Sequence, residues 1–170
     1  MAAIAALGFA GAAKAEDWTG FYAGLLGEGT FVYIDGATIG AGGLAKVFGY
    51  NWDQGDMVFG IDEMVVITPV TSGEATFAWQ KMGRVGFEVT ESALLYGAAG
   101  LGYFWFPDAS YSTGYGAVAA GVEVAMGENA AWRTHAQLSF PFDQTIFSGA
   151  PPEIFHGLIS LGTGLVWNFN

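Results

Sequence analysis

Cysteine is absent from the 170 residues, so neither a disulfide framework nor a thiolate metal site can be built. Charge is scarce: Asp, Glu, Lys and Arg make up 12% of the chain, about half the usual ~25%. Cations are scarcest of all, with 5 Lys and Arg against 16 Asp and Glu, a net charge of −11. That balance excludes nucleic acid as a partner. Long apolar runs are missing as well, because glycine, charge or polar residues interrupt every stretch before the ~18 residues that a membrane helix needs. Yet hydrophobic residues make up 52% of the chain and the mean hydropathy is +0.39. The 27 glycines and the 16% aromatic content argue against both disorder and a helical bundle, and the length is that of one domain. Two explanations suit so apolar a chain without a spanning helix: an unusually dry soluble core, or a closed β-barrel whose apolar face meets lipid.

The amino end bears on the compartment. Residues 1–15, MAAIAALGFAGAAKA, form an apolar run closing on Ala13-Lys14-Ala15, the A-x-A shape of a signal-peptidase site. Residues 1–15 are therefore expected to be a signal peptide, shortened at its basic start, with 16–170 the mature barrel domain.

Period-two alternation is the dominant pattern in the rest of the chain. Ile159, Leu161, Leu165, Trp167 and Phe169 alternate with Ser160, Gly162, Gly164 and Asn168, and Trp132, Ala136, Leu138 and Phe140 alternate with Arg133, His135, Gln137 and Ser139. Between 116 and 126, Val118, Ala120, Val122 and Val124 alternate with Ala117, Ala119, Gly121 and Glu123. The polar faces are small and glycine-rich rather than highly charged, as the filled interior of a narrow barrel requires. Turn residues divide the mature chain into eight expected strands near 18–33, 40–51, 57–68, 76–89, 93–106, 114–126, 131–140 and 155–169. Tight connections at 52–56, 90–92 and 127–130 alternate with longer ones at 34–39, 69–75, 107–113 and 141–154. Short periplasmic turns alternating with longer outer loops are the signature of an antiparallel up-and-down transmembrane β-barrel. If the first strand runs outward, Trp18, Trp52, Trp132 and Trp167 fall in a periplasmic aromatic girdle. Trp79, Tyr103 and Trp105 then fall in an outer one.

Several motifs carry a family resemblance. Asp17-Trp18-Thr19-Gly20-Phe21-Tyr22-Ala23-Gly24, directly after the signal-like segment, resembles the mature start of the small porin-like outer-membrane barrels of alphaproteobacteria. Gly49-Tyr50-Asn51-Trp52 is similar to that family's first turn, Phe59-Gly60-Ile61-Asp62 to its third strand and Gly83-Arg84-Val85-Gly86-Phe87 to its fourth. The run from Leu95 to Tyr103 resembles the fifth, and Ala120-Gly121-Val122-Glu123 the sixth. The resemblance implies an eight-stranded barrel of the kind found in OmpA-type proteins, in the outer membrane of a Gram-negative cell. Departures are a final Asn170 after Phe169, a seventh strand with a single Arg, and short external loops.

The same alternation places Asp62, Arg84, Glu88, Glu123, Arg133 and His135 on the inward face. There they are expected to pair and plug the lumen, since an unpaired buried charge is costly. Ser/His chemistry is the one catalytic arrangement to weigh, and His135 and Ser139, four strand residues apart, stand roughly 13 Å from each other. His156 has no ligand cluster, and the glycine runs at 40–43 and 97–102 lack the Lys-Ser/Thr of a phosphate loop. No catalytic residue, metal or cofactor is expected. Asp35, Glu74, Asp108, Asp143 and Glu153 fall on outer loops, solvated or bridged by divalent cations to lipopolysaccharide phosphates. The expected role is structural, in envelope integrity and surface contact. The expected partners are outer-membrane lipid and lipopolysaccharide, the barrel insertion machinery, and another membrane complex or a second copy. A small-solute pore and a soluble secreted barrel carrying an apolar ligand are the competing readings.

Overall fold

The computed structural model describes residues 17–34, 37–69, 75–106, 111–142 and 157–169. They form eight strands: β1 (Gly20–Ile34), β2 (Ala37–Asp53), β3 (Met57–Pro69), β4 (Ala75–Thr90), β5 (Ala93–Phe106), β6 (Tyr111–Ala125), β7 (Ala130–Pro141) and β8 (Leu158–Phe169). Each pairs antiparallel with its sequence neighbour, and β8 pairs back onto β1 with Phe21 opposite Phe169 and Val32 opposite Leu158. The ring is closed along this seam, leaving no free edge.

Alternation sorts the side chains as the pattern requires. Along β7, Ala131, Arg133, His135, Gln137 and Ser139 are buried in the lumen, while Trp132, Thr134, Ala136, Leu138 and Phe140 are exposed on the outer wall. Phe21, Leu25, Leu44, Phe59, Leu101 and Ile159 show the same outward display of large apolar groups on other strands. The wall is not uniformly apolar: Lys46 on β2, Glu63 on β3 and Lys81 on β4 point outward, Glu63 stands opposite Lys81, and the Trp79 indole donates to Glu63 (2.7 Å).

Two expectations need correction. The first connection is not long, because the β1–β2 ladder continues to Ile34 opposite Ala37, leaving only Asp35 and Gly36 between the strands. The second concerns Trp18. It does not join a girdle on the outer wall but is 2% exposed, packed with Val58, Leu94 and Ala131 inside the short-turn end of the barrel. Gly20, at φ +133°, turns the chain into β1. Reciprocal bonds from Trp18 N–H to Asp53 Oδ2 and from Asp53 N–H to Thr19 Oγ1, both 3.1 Å, hold the preceding residues across the lumen mouth. Residues 1–15, His156 and the acids Asp35, Glu74, Asp108, Asp143 and Glu153 lie outside the described residues.

Candidate functional site in the barrel lumen

The lumen is built in layers, each made of inward residues from several strands. Above the Trp18 plug stand Asp62 (β3), Arg84 (β4), Glu123 (β6) and Arg133 (β7), all buried. Arg84 Nη1 donates to Glu123 Oε1 (2.8 Å), and Arg133 Nε donates to the same oxygen (2.6 Å). Arg133 Nη1 reaches both carboxylate oxygens of Asp62 at 3.1 and 3.3 Å, and Arg84 Nη1 is 3.9 Å from Asp62 Oδ1. Two cations and two anions thus form one electroneutral cluster across the lumen. Desolvating four charges is expensive, and mutual pairing with charge-assisted hydrogen bonds is the condition on which it is tolerated.

Tyrosines complete the cluster. The Arg84 guanidinium carbon lies 4.1 Å from the Tyr96 ring centroid, and that of Arg133 lies 5.0 Å from the Tyr22 centroid. The ring faces cover guanidinium nitrogens without a hydrogen-bond partner, among them Arg84 Nε and Nη2, while Arg133 Nη2 lies 2.6 Å from Glu123 Oε1. Tyr22 also donates its hydroxyl to Asp62 Oδ1. The rings lie flat because of what stands opposite them. Tyr22 faces Gly49, Tyr96 faces Gly121 and Tyr115 faces Gly102 across their ladders. In each case a Cβ on the glycine would collide with the tyrosine ring or hydroxyl. Glycine opposite an aromatic lets the ring fold over the neighbouring strand.

Further from the short turns, Gln80 (β4) and Gln137 (β7) exchange amide hydrogen bonds of 2.8 and 2.9 Å. Tyr115 donates to Gln80 Oε1 (3.0 Å), and Gln137 Nε2 donates to Ser139 (2.8 Å). Beside this pair, His135 Nε2 lies 3.0 Å from Glu28 Oε1. Glu28, Gly162 and His135 occupy one row across β1, β8 and β7, and the missing side chain at Gly162 lets the two groups meet. A cavity of about 200 Å³ follows on the long-connection side, with Glu28, Gln80 and Gln137 at its deep end and Met64, Val66, Phe77 and Phe104 along its walls.

The geometry brings together four of the six ionisable residues expected in the lumen, Asp62, Arg84, Glu123 and Arg133, and places His135 next to them. Glu88 faces the same way but sits half-buried at the short-turn end, its N–H bonded to the Asp56 carbonyl (3.2 Å). Glu28, Gln80 and the three tyrosines were missed in the sequence. Trp52, Trp132 and Trp167 are exposed near the short-turn ends of β2, β7 and β8, and Trp79, Tyr103 and Trp105 are exposed toward the opposite ends of β4 and β5. Among the described residues no group of three or more His, Asp or Glu could hold a metal ion.

A closed antiparallel ring of eight strands, with a polar filled interior and an outer wall of large apolar side chains, defines an eight-stranded outer-membrane β-barrel. In sequence the chain is 41% identical over 98 residues to the 22 kDa outer membrane protein of Rhizobium leguminosarum bv. viciae, a match covering 51% of this chain and 44% of that protein. The matched region thus spans less than half the length of that relative. No protein-family model matches. Among solved structures the fold is similar to Ail, the attachment invasion locus protein of Yersinia pestis, with a TM-score of 0.62 at 17% identity over 89% of this chain and 99% of Ail. Neisserial surface protein A gives 0.58 at 13% identity over 89% of this chain and 98% of its own. The N-terminal barrel domain of Pseudomonas aeruginosa OprF gives 0.54 at 13% over 87% and 97%. The protein is an outer-membrane barrel, similar over part of its sequence to that 22 kDa outer membrane protein and in fold to Ail, Neisserial surface protein A and the OprF barrel domain.

Proposed function

We propose that the chain is a sealed barrel with a structural role in envelope integrity and surface contact, rather than a conduit or an enzyme. The observation that carries this reading is the Asp62–Arg84–Glu123–Arg133 cluster, which bridges β3, β4, β6 and β7 across the lumen. Trp18 packs beneath it, and the two glutamines pair above it. A barrel of eight strands has room for side chains and little else. The short turns face the periplasm in this reading, so that Trp52, Trp132 and Trp167 mark the inner interface and Trp79, Tyr103 and Trp105 the outer one. Residues 1–15 act as a signal peptide, and mass spectrometry of the mature protein is expected to find Glu16 at its amino terminus. Lipid, lipopolysaccharide and the insertion machinery are the partners that follow from this location. Catalysis has no support in the geometry, since His135 faces Glu28 while Ser139 is engaged by Gln137.

The cavity on the long-connection side is the one observation favouring a small-solute pore, and it ends on Glu28 and the glutamine pair. Ail has been solved with the heparin analogue sucrose octasulfate. A net charge of −11 argues against the same ligand class here. The refolded protein in planar bilayers is expected to show no channels of porin size, and reproducible channels of that size refute the sealed reading.

A further inference from the structure

Beyond the sealed-barrel reading, and independent of it, stands an imbalance of charge. The four-residue cluster is neutral by itself, with two Arg against Asp62 and Glu123. Glu28 lies outside that balance. It is 5% exposed and stands beside His135, and neither of its carboxylate oxygens has a hydrogen-bond partner among the described residues. His135 Nε2, though 3.0 Å away, is not aligned to bond and is also without a hydrogen-bond partner. A buried carboxylate with neither oxygen hydrogen-bonded is a costly arrangement for a pocket that stays empty.

The surroundings of Glu28 suit a particular ligand. Its carboxylate lines the deep end of the cavity of about 200 Å³. Thr30 and Ser160, one step further along β1 and β8, also line it, their two hydroxyls hydrogen-bonded to each other at 3.0 Å with lone pairs left to accept. The remaining wall, with Met64, Val66 and Phe104, is apolar. The volume is below the ~300–1,000 Å³ of sites for drug-sized ligands, which restricts the occupant to a compact molecule. We infer that the lumen cavity is a binding site for a small primary ammonium ion on an apolar body, its N–H groups donating to the Glu28 carboxylate and the Thr30–Ser160 hydroxyls. The ammonium supplies the positive charge that the cluster below does not share, and the apolar body fills the space between Met64 and Phe104.

The test uses the full mature barrel, refolded in detergent–lipid micelles, with methyl-labelled methionine. The probes are 2-phenylethylammonium and its neutral counterpart 2-phenylethanol. Met64 lies on the cavity wall, whereas Met57 and Met126 do not line it. Expected is a saturable shift of the Met64 methyl signal with the ammonium, and affinity at least tenfold weaker for the alcohol. Glu28→Gln is expected to lose tenfold or more for the ammonium, Glu63→Gln on the outer wall none. Should Glu28→Gln fail to fold, Val66→Phe, which fills the cavity and leaves the carboxylate in place, is expected to abolish binding. No saturable shift, equal affinity for amine and alcohol, unchanged affinity in Glu28→Gln or Val66→Phe, or equal shifts at Met57 and Met126 would each overturn the assignment.

Discussion

At the scale of single residues, the lumen cluster is a set of charges that stabilise only one another. Removing one leaves its partners buried and unpaired, which typically costs about 3–5 kcal/mol. Glu123→Ala strips both arginines of their shared acceptor. It is expected to lower stability by that amount, read from the urea midpoint of the heat-modifiable gel band in detergent–lipid micelles. An unchanged midpoint contradicts the claim. Asp62→Leu together with Arg133→Leu is expected to cost less than the two single changes added, because the pair is lost as a unit. The cluster was legible because parity in a strand is strict: once Trp132 and Leu138 face out, Arg133 must face in. The same count from Tyr22 reaches Glu28, so that residue was available to the eye. Its meeting with His135 was not, because it depends on register across three strands and on Gly162 between them. Trp18 deceived for a different reason. An indole near a strand end suits an interface and a plug equally, and the bonds to Asp53 decide between them.

Among strands, the recurring device is the tyrosine opposite a glycine. Gly121→Val would force Tyr96 off the ladder and away from Arg84. The expected loss is about 1–3 kcal/mol, as for other overpacked sites. Gly83→Ala serves as the control, since nothing lies within 4 Å of the added methyl on the outward face, and it is expected to be near neutral in the same urea assay. The outer wall offers the opposite experiment. Lys46 points outward between Leu25 and Val65, and a lysine on the lipid face costs up to ~2–4 kcal/mol at mid-bilayer and less near an interface. Lys46→Leu is therefore expected to stabilise the barrel in vesicles by about 1 kcal/mol or more, and a loss of stability there would place this part of the wall against something other than lipid. Strand positions were readable because lipid outside and small polar groups inside give every strand the same period. The first connection was misjudged because Ile34 to Ile39 reads as one loop around Asp35-Gly36, although that dipeptide is by itself a two-residue hairpin signal and the ladder runs on to Ile34 opposite Ala37.

For the whole molecule, the design is a ring whose interior is filled by opposing strands and whose circumference depends on the β1–β8 seam. Along the seam, Gly24 stands opposite Val166 and Gly164 opposite Leu26, where backbones and side chains approach so closely that a Cβ on Gly24 would lie 2.9 Å from Val166 Cγ2. Gly164→Val is expected to block closure, seen as loss of the compact heat-modifiable band with the far-ultraviolet β signal largely kept. A fully compact band would show that the seam tolerates a side chain there.

The amide groups of the first and last strands find each other only when the two ends of the chain meet, after every strand between them has been laid down. In water an open ribbon keeps those edges hydrated, whereas in hydrocarbon each orphaned amide costs several kcal/mol. A half-assembled barrel therefore has no resting place inside the bilayer, and zipping first strand to last and crossing into lipid become a single event. Before that event the chain carries two unpaired edges and the aromatic belt of its future outer wall. Those are the features that draw strands of separate molecules together, so the interval before closure is where this chain is most open to aggregation.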